Sequence, residues 1–397
     1  MLTQEENIRL TQVGRGTPGG DLLRRYWFPV AIVQDLTEAS PTKFVRLLGE
    51  DLVLFRDKSG RVGLLADHCS HRGASLLYGR VEERGIACAY HGWLYDCEGN
   101  ILETPPERNE AIMNAVKHTA YPVQMFCGMY WAYLGPEPVP VIPHLDVWVR
   151  RDGHRTIVTH PPMDANYFQA MENSVDPAHL QILHQDAGYR RRRPINTTRG
   201  YTDDVESFEF YEIPNGIMKK RTYVNGWTDE HPMIFPNILR TLNGTEIRVP
   251  IDDTRTVIFQ VDFEQTEDGS LVEEGEELPI EDPGPYKDPP DKLHPFARVF
   301  MRTIPQQDQG IWETQGPLVD RAAEHLAYSD RGIVMLRKLM LDQQERVRQG
   351  IDPIGVLRDP DHVMIDTNLQ KVLDRLRVGA YVPNGINTPT YEVGATT

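Results

Sequence analysis

The chain has 397 residues, 40% of them hydrophobic and 25% charged, which is the composition of an ordinary globular protein with room for more than one core. Its formal net charge of −16 argues against binding to nucleic acid, which requires a basic face, and against anionic membrane surfaces. Four cysteines are too few for a disulfide scaffold, and no run of about 18 apolar residues predicts a membrane span.

Residues 1–26 form an N-terminal segment ahead of the first domain. Its start, MLTQEENIRL, is polar and helical in character, and the chain breakers Gly14, Gly16 and Pro18 follow. This start lacks the basic residues and the apolar stretch of a signal peptide, so we expect a cytoplasmic protein.

Residues 27–135 are predicted to form an all-β domain. Short apolar runs near 26–31, 44–48 and 52–55 are separated by turn residues, a pattern typical of β-hairpins. Two further runs, at 64–66 and 85–87, each precede a short motif that contains cysteine and histidine. We therefore expect these two motifs on neighbouring hairpin loops.

The two motifs are CSH at 69–71 and CAYH at 88–91, and 16 residues separate them. Thiolates on one iron and imidazoles on the other are the ligands of a Rieske-type [2Fe–2S] cluster. Gly73 and Gly92 follow the two histidines, where the backbone must approach the sulfides closely. The predicted cluster ligands are Cys69, His71, Cys88 and His91.

Zinc is the competing interpretation of this ligand set, because it also binds two cysteines and two histidines. Zinc motifs usually pair cysteine with cysteine and histidine with histidine, which this order does not. Chance is the other alternative, and two matched pairs in a chain with only four cysteines make it improbable.

Residues 136–397 are predicted to form a second domain, of α+β class. A proline-rich connector at 136–143 precedes it. Helical character at 163–184 gives way to predicted strands and then to predicted helices, an order that favours α+β architecture. The predicted strands lie at 207–211, 246–250 and 256–263, and the predicted helices at 310–326 and 333–348. The acidic, proline-rich stretch 265–290 is predicted to be a long exposed loop.

A second metal site is predicted around His179 and His184. Two histidines and one carboxylate form the facial triad of non-haem Fe(II) oxygenases, which leaves coordination positions open for dioxygen. Residues five apart lie about 140° apart on a regular helix, so a regular helix would not direct both rings at one metal. We therefore predict a helix that starts at Pro177 with Asp176 as N-cap and is distorted or ends near His184. Without a partner site, such histidines would more often be ordinary interior or surface residues.

Three further groups of residues have weaker functional interpretations. The four arginines at 190–193 are either a solvated loop or a segment that gates the pocket or docks an acidic partner. Arg240 and Arg248 are either a clamp for a substrate carboxylate or members of ordinary ion pairs. An apolar pocket for an aromatic ring, or equally the core, would contain Leu180, Ile182, Phe235, Ile238 and Trp312.

The segments HCSHRGASL and CAYHGWLYDCEGN, together with the pattern Asp176-x2-His179-x4-His184, resemble the Rieske non-haem iron aromatic ring-hydroxylating oxygenases. The resemblance is to the oxygenase (alpha) component of the phthalate dioxygenase and vanillate O-demethylase type. It implies an all-β Rieske domain followed by a helix-and-antiparallel-sheet catalytic domain of helix-grip (START-like) type. The implied cofactors are a Rieske-type [2Fe–2S] cluster and a mononuclear Fe(II).

The resemblance also implies roles for individual residues of the second site. Asp308 is the third iron ligand, with Glu313 and Asp320 as fallback candidates. Asp176 connects a cluster histidine of one subunit to His179 of its neighbour, whereas from the residues alone it is only an N-cap. Asn173 lies near the iron.

The implied activity is that of a terminal oxygenase in a homotrimer. A flavin- and ferredoxin-type reductase supplies electrons from NAD(P)H, and the enzyme uses dioxygen to hydroxylate or O/N-demethylate a small aromatic substrate. One alternative is cis-dihydroxylation of the phthalate type. A different class of function also stays open, namely an electron carrier or a ligand-binding protein without a working mononuclear iron.

Overall fold

The computed structural model describes residues 2–108, 111–184, 205–224, 226, 228–241, 243–283, 304–365 and 367. The strands of these residues form four sheets, and the predicted α+β class is confirmed. The predicted run of four arginines at 190–193 lies outside the described residues.

The N-terminal segment folds as two helices, α1 (Gln4–Thr11) and α2 (Pro18–Leu23). Thr3 and Glu6 form a capping box at the start of α1, which satisfies two backbone N–H groups. Both helices contact the last helix of the described chain, so the segment packs on the C-terminal part of the molecule.

Eleven short strands and one helix follow, in the region predicted to be all-β. The strands are β1 (Trp27–Ile32), β2 (Thr42–Leu47), β3 (Glu50–Arg56), β4 (Val62–Ala66), β5 (Arg80–Glu82), β6 (Gly85–Ala87), β7 (Leu94–Tyr95), β8 (Ile101–Glu103), β9 (Ala120–Tyr121), β10 (Val123–Phe126) and β11 (Met129–Tyr133), and the helix is α3 (Ala111–Ala115). They form sheets of order β1-β11-β10, β2-β3-β4-β9 and β5-β6-β7-β8. The predicted hairpins are therefore confirmed.

The second region is built around an eight-stranded sheet of order β13-β14-β15-β16-β17-β18-β12-β19. Its elements are α4 (Asp146–Val149), β12 (Gly153–Thr159), α5 (Tyr167–Ser174), α6 (His179–Ile182), β13 (Val205–Ile213), β14 (Gly216–Tyr223), β15 (Thr228–Ile234), β16 (Ile238–Arg240), β17 (Gly244–Pro250), β18 (Thr256–Gln265), β19 (Ile280–Glu281), α7 (Ile304–Thr314) and α8 (Arg331–Arg348). Every neighbouring pair is antiparallel except β12 and β19. The predicted boundary between residues 135 and 136 stays a prediction.

The two faces of this sheet have different chemistry, because successive side chains of a strand point to opposite sides. Ile247 of β17 and its cross-strand partner Phe259 of β18 belong to the main hydrophobic core, which also contains Trp131 of β11. The alternate positions Glu246 and Gln260 face the other way. One face thus packs on the first region, and the other carries buried polar groups.

The C-terminal helices differ in part from the prediction. The helix predicted at 333–348 is confirmed as α8, but the one predicted at 310–326 is wrong, since α7 ends at Thr314. Gly316, which has a φ of 88°, and Pro317 follow this end, and neither continues a helix. The chain beyond them crosses α1 instead, where Val319 accepts a hydrogen bond from the Asn7 side chain.

The acidic stretch is only partly a free loop. Up to residue 283 most of its side chains are exposed, as predicted, but Leu278 is buried and Ile280–Glu281 adds an edge strand beside β12. The carboxylate of Glu274 also forms an ion pair with the buried Arg155. Among the described helices, none is both long enough and apolar enough to cross a membrane.

Candidate metal centres

Two loops of the first region have the same backbone construction. In one loop the amide of Cys69 donates to the carbonyl of Ala74, and in the other the amide of Cys88 donates to the carbonyl of Trp93. Each cysteine carbonyl in turn accepts from the glycine four residues later, and these glycines have φ values of 73° and 75°. The two loops follow β4 and β6, as predicted.

The four predicted cluster ligands are brought together with the thiols inside and the imidazoles outside. Cys69 and Cys88 are each 3% exposed, whereas His71 and His91 are half-buried with ring centroids 4.5 Å apart. Trp93 stacks on the His71 ring at 4.7 Å. This arrangement suits one iron held by buried thiolates and a second held by imidazoles near the surface.

The electrostatics of the loops fit a bound cluster. Nδ1 of His71 is buried and finds no hydrogen-bond partner among the described residues, as expected of an atom reserved for a metal. Burial raises the pKa of the Cys88 thiol, although the backbone amides of Tyr90 and His91 oppose this. Such a thiol needs a metal to become a thiolate at neutral pH.

The second constellation lies where a helix is interrupted. α5 ends at Ser174 and α6 begins at His179, so the helical character predicted across 163–184 belongs to two short helices. The predicted helix start at Pro177 with Asp176 as N-cap is wrong by two residues, because Ala178 is the N-cap. The Asp176 carboxylate instead accepts from the Ala178 amide at 2.8 Å, which forms a turn before the helix.

The end of α6 agrees with the prediction. The helix stops at Ile182, and His184 follows outside it. His184 can therefore point toward His179 despite the five-residue spacing, and their ring centroids are 5.2 Å apart.

The two histidines and Asp308 of α7 converge on one point, with potential ligand atoms all within 4.8 Å of one another. Asp308 Oδ1 lies 3.3 Å from Nε2 of His184 and 3.7 Å from Nε2 of His179. The Asn173 amide nitrogen lies 3.2 Å from His179 Nε2 and 3.4 Å from Asp308 Oδ1. Glu313 and Asp320, the fallback candidates, bond elsewhere, to the backbone of Asp164 and to Gln4.

This group fits a metal with three protein ligands. Nε2 of His184 is buried without a hydrogen bond among the described residues, although it lies beside a carboxylate. Burial would lower the pKa of His184, but the Asp308 carboxylate, 3.3 Å from Nε2, raises it above the ordinary value. A metal at Nε2 would therefore compete with a proton for this position.

The outward nitrogens of the two histidines have different surroundings, since Nδ1 of His179 makes a charge contact but no hydrogen bond among the described residues. Nδ1 of His184 donates to the Gln307 side chain at 2.8 Å, and Nδ1 of His179 lies 3.3 Å from Asp176. Burial would raise the pKa of Asp176, but its contacts with His179 and the Ala178 amide keep it below the ordinary value. Both histidines therefore present Nε2 to the metal position.

A buried ion-pair network holds α5 beside this site. Glu172, adjacent to Asn173, pairs with Arg321 at 2.8 Å and with Arg337 of α8 at 2.7 Å. Arg321 also donates to Asn7 of α1 at 3.1 Å. Removing one partner of such a network would leave a buried charge without compensation.

Arg240 and Arg248 both form ion pairs, the second of the two interpretations above. Arg240 makes two hydrogen bonds to the buried Asp146, at 2.7 and 3.0 Å. Arg248 pairs with Glu246 at 2.6 Å, on the polar face of the sheet. Burial lowers the pKa of Arg248, while the charges of Glu246 and Asp308 oppose this.

Of the two interpretations of the apolar residues, the structure supports the core for Phe235, Ile238 and Trp312, which do not form one group. Phe235 and Ile238 belong to the main core on the far face of the sheet, and Phe235 packs against Tyr26. Trp312 of α7 packs separately against Ile258 on the polar face. The side chain of Ile182 lies outside the described residues.

Sequence reasoning missed Gln307 and the Glu172 network. Gln307 directly precedes the predicted ligand Asp308, and this adjacency was the only available signal. Glu172 carried no signal, because its arginine partners are distant in the chain.

A β region with paired cysteine and histidine loops, joined to an antiparallel sheet with a two-histidine, one-carboxylate group, defines a redox protein with two metal centres. The comparisons with known proteins identify the family. Residues 26–124 match the family model of the Rieske [2Fe-2S] domain, and residues 296–370 match that described as LigXa C-terminal domain like.

Full-length relatives agree with these matches. The oxygenase subunit of 5,5'-dehydrodivanillate O-demethylase from Sphingobium sp. (strain NBRC 103272 / SYK-6) is 35% identical over 367 residues, which cover 91% of this chain and 84% of that protein. The oxygenase subunit of phthalate 4,5-dioxygenase from Pseudomonas putida is 32% identical over 394 residues, with 89% of each chain covered.

A solved structure supports the fold. A carbazole-bound oxygenase variant in the ferredoxin complex of carbazole 1,9a-dioxygenase superposes with a TM-score of 0.61 at 19% identity, covering 88% of this chain and 96% of that one. The chain belongs to the Rieske oxygenases, as an oxygenase (alpha) component. The predictions of a Rieske-type oxygenase, of its fold and of its two cofactors, a [2Fe–2S] cluster and a mononuclear iron, are confirmed.

Proposed function

We propose that this chain hydroxylates or O- or N-demethylates a small aromatic substrate, with O-demethylation of an aryl methyl ether as the first reaction to test. The convergence of His179, His184 and Asp308 within 4.8 Å carries the proposal, because it leaves open positions at the metal. The relative named 5,5'-dehydrodivanillate O-demethylase supports the reaction type. The relative named phthalate 4,5-dioxygenase supports cis-dihydroxylation as the alternative.

The residues of the two centres have separate tasks in this proposal. Cys69, Cys88, His71 and His91 hold the cluster, and His179, His184 and Asp308 hold the iron. The cluster supplies single electrons, and the iron supplies the site at which dioxygen is activated. Asn173 donates an amide hydrogen to Oδ1 of Asp308 and keeps this carboxylate oriented.

Asp176 is the proposed connection between centres of neighbouring subunits. One carboxylate oxygen is held by the Ala178 amide, and the other lies beside Nδ1 of His179. The side chain keeps 23% of its surface exposed, so a histidine from a second chain can reach it. This requires a homotrimer in which the cluster loops of one subunit meet Asp176 of the next.

The proposed electron donor is a flavin- and ferredoxin-type reductase that uses NAD(P)H. The ferredoxin complex of the carbazole oxygenase supports a partner of this kind. The cluster loops offer an entry point, since Tyr90 is 59% exposed and the Arg72 guanidinium lies over its ring. We also keep the prediction of a cytoplasmic location.

A substrate panel with a surrogate reductase tests the activity. Methoxylated and unsubstituted aromatic acids are supplied with NADH, and oxygen uptake is compared with product mass. Formaldehyde released in equal amount to a phenol establishes O-demethylation, whereas products heavier by two oxygen and two hydrogen atoms establish cis-dihydroxylation. His179→Ala in the same assay is the control, and equal substrate-dependent product formation by this variant would refute the proposal.

A further inference from the structure

His118 is a buried histidine that belongs to neither proposed ligand set. It lies just before β9 and is 3% exposed. Its Nε2 is 2.8 Å from the carbonyl oxygen of Ala66, and its Nδ1 is 2.6 Å from the hydroxyl of Ser70. Because a carbonyl only accepts, Nε2 carries the hydrogen, and Nδ1 accepts the hydrogen of Ser70. The ring is thus anchored at both ends, and burial lowers its pKa, although the hydrogen bond to Ala66 opposes this.

The anchored imidazole ring packs against the phenol ring of Tyr95. The two ring centroids are 4.6 Å apart, and Tyr95 is completely buried. On the far side of the phenol, its hydroxyl lies 3.0 Å from Sγ of Cys69. When that sulfur is a thiolate ligand it only accepts, so the phenol must donate.

Hydrogen bonds to the sulfurs of an iron–sulfur cluster raise its reduction potential, because they stabilise the reduced form with its extra negative charge. The strength of such a bond depends steeply on distance and angle. Whatever fixes the phenol of Tyr95 against Cys69 therefore controls the potential. Tyr95 belongs to a cluster of buried apolar side chains, and among the described aromatic rings that of His118 is in direct ring contact with it.

We propose that His118 is a positioning residue that raises the reduction potential of the cluster by holding the Tyr95 hydroxyl on Cys69 Sγ. Ser70 and Ala66 take part only as its anchors, and Ser70 lies in the same loop as Cys69 and His71. The inference rests on the proposed cluster ligands, since Cys69 must bind iron for the hydrogen bond to matter.

The test uses the full-length protein with its cluster reconstituted. The midpoint potential is measured by redox titration, and visible absorption and electron paramagnetic resonance verify that the cluster is intact. Tyr95→Phe removes only the hydroxyl and should lower the potential. His118→Leu removes the ring contact with Tyr95 and the hydrogen bonds to Ser70 and Ala66. It should also lower the potential, by a smaller amount.

The double variant decides whether His118 acts through Tyr95. If it does, Tyr95→Phe combined with His118→Leu should have the potential of Tyr95→Phe alone. Full addition of the two shifts would overturn the proposal. His144→Leu is the matched control, because His144 is also buried and stacked on an aromatic ring, that of Phe126, and it should leave the potential unchanged.

Loss of the cluster and an unchanged potential are the two remaining outcomes of the test. If His118→Leu loses its cluster, His118→Gln replaces it, since its amide keeps an acceptor and a donor but no ring. A potential unchanged in the intact variant overturns the inference. Failure of the proposed ligand set looks different, because Tyr95→Phe would then also leave the potential unchanged.

Discussion

The cluster loops and the iron triad of this oxygenase are built on different length scales. Each cluster loop is closed by hydrogen bonds between residues four or five apart, and the two loops repeat the same pattern. The triad instead needs α6 and α7 to meet, and the hydrogen bond from His184 to Gln307 spans 123 residues. A locally closed site tolerates changes elsewhere in the chain, whereas a site assembled from distant elements depends on their packing.

The largest effect is expected from His179→Ala, which should abolish iron binding at one site and leave the other site intact. His179→Ala removes one of the three proposed iron ligands, so we expect no turnover and about two irons per chain instead of about three, with the visible absorption of the cluster unchanged. Iron analysis and the visible spectrum measure this. Cys88→Ser is the reciprocal control, which should lose the absorption and retain one iron. A variant at His179 that still binds three irons would show that the triad is assigned wrongly.

Asp176→Asn tests the proposed connection between the sites. The amide keeps the shape and can still accept from Ala178, but it loses the negative charge beside His179. We expect both metals to be retained and turnover to fall by about 100-fold or more, since partners of metal-bound histidines alone are worth roughly 10–100-fold. Stopped-flow oxidation of the reduced cluster with substrate and dioxygen measures it. Ordinary rates at verified metal content would remove Asp176 from the electron route.

Gln307 should have the smallest effect, confined to one site. Gln307→Leu removes the acceptor for Nδ1–H of His184, so we expect the affinity for Fe(II) to fall by about 10–100-fold while the cluster is unaffected. Gln307→Glu retains an acceptor and should keep the affinity near that of the unchanged protein. Titration of each iron-depleted protein with Fe(II) measures the affinity. Equal affinities of the unchanged protein and both variants would contradict the proposed role of Gln307 in orienting His184.

The same difference in scale explains what could be predicted from the sequence. Both cluster motifs were found together with the glycines after their histidines, because ligands, turns and strands lie within about ten residues of one another. The convergence of His179 and His184 was also expected, since their spacing and the motif are local, while their role as iron ligands stays a prediction. Asp308 depended on the resemblance, because a single carboxylate far along the chain has no spacing pattern of its own.

The errors also have physical reasons. The helix start near Pro177 was placed too early, because the Asp176 carboxylate forms a turn before the helix rather than its cap. The sequence could not decide between pocket and core for the apolar residues, because both faces of β17 are buried: Ile247 is 0% exposed and Arg248 is 1% exposed. When ion pairs compensate the buried charges on one face of a strand, the alternation of apolar residues does not show which face belongs to the hydrophobic core. The buried partners of Glu172 were equally invisible in the sequence.

The contact of Arg321 with Asn7 and Glu172 has a practical consequence. α1 and α2 rest on α8, and α1 also touches α5, the helix that leads into the iron ligands. A shortened protein beginning at the proline-rich connector would lack α1 and α2, on which α8 packs. Residues 1–26, although remote in sequence from the second region, are structurally part of it. Their removal would take away contacts that support α5 and α8 beside the proposed iron site.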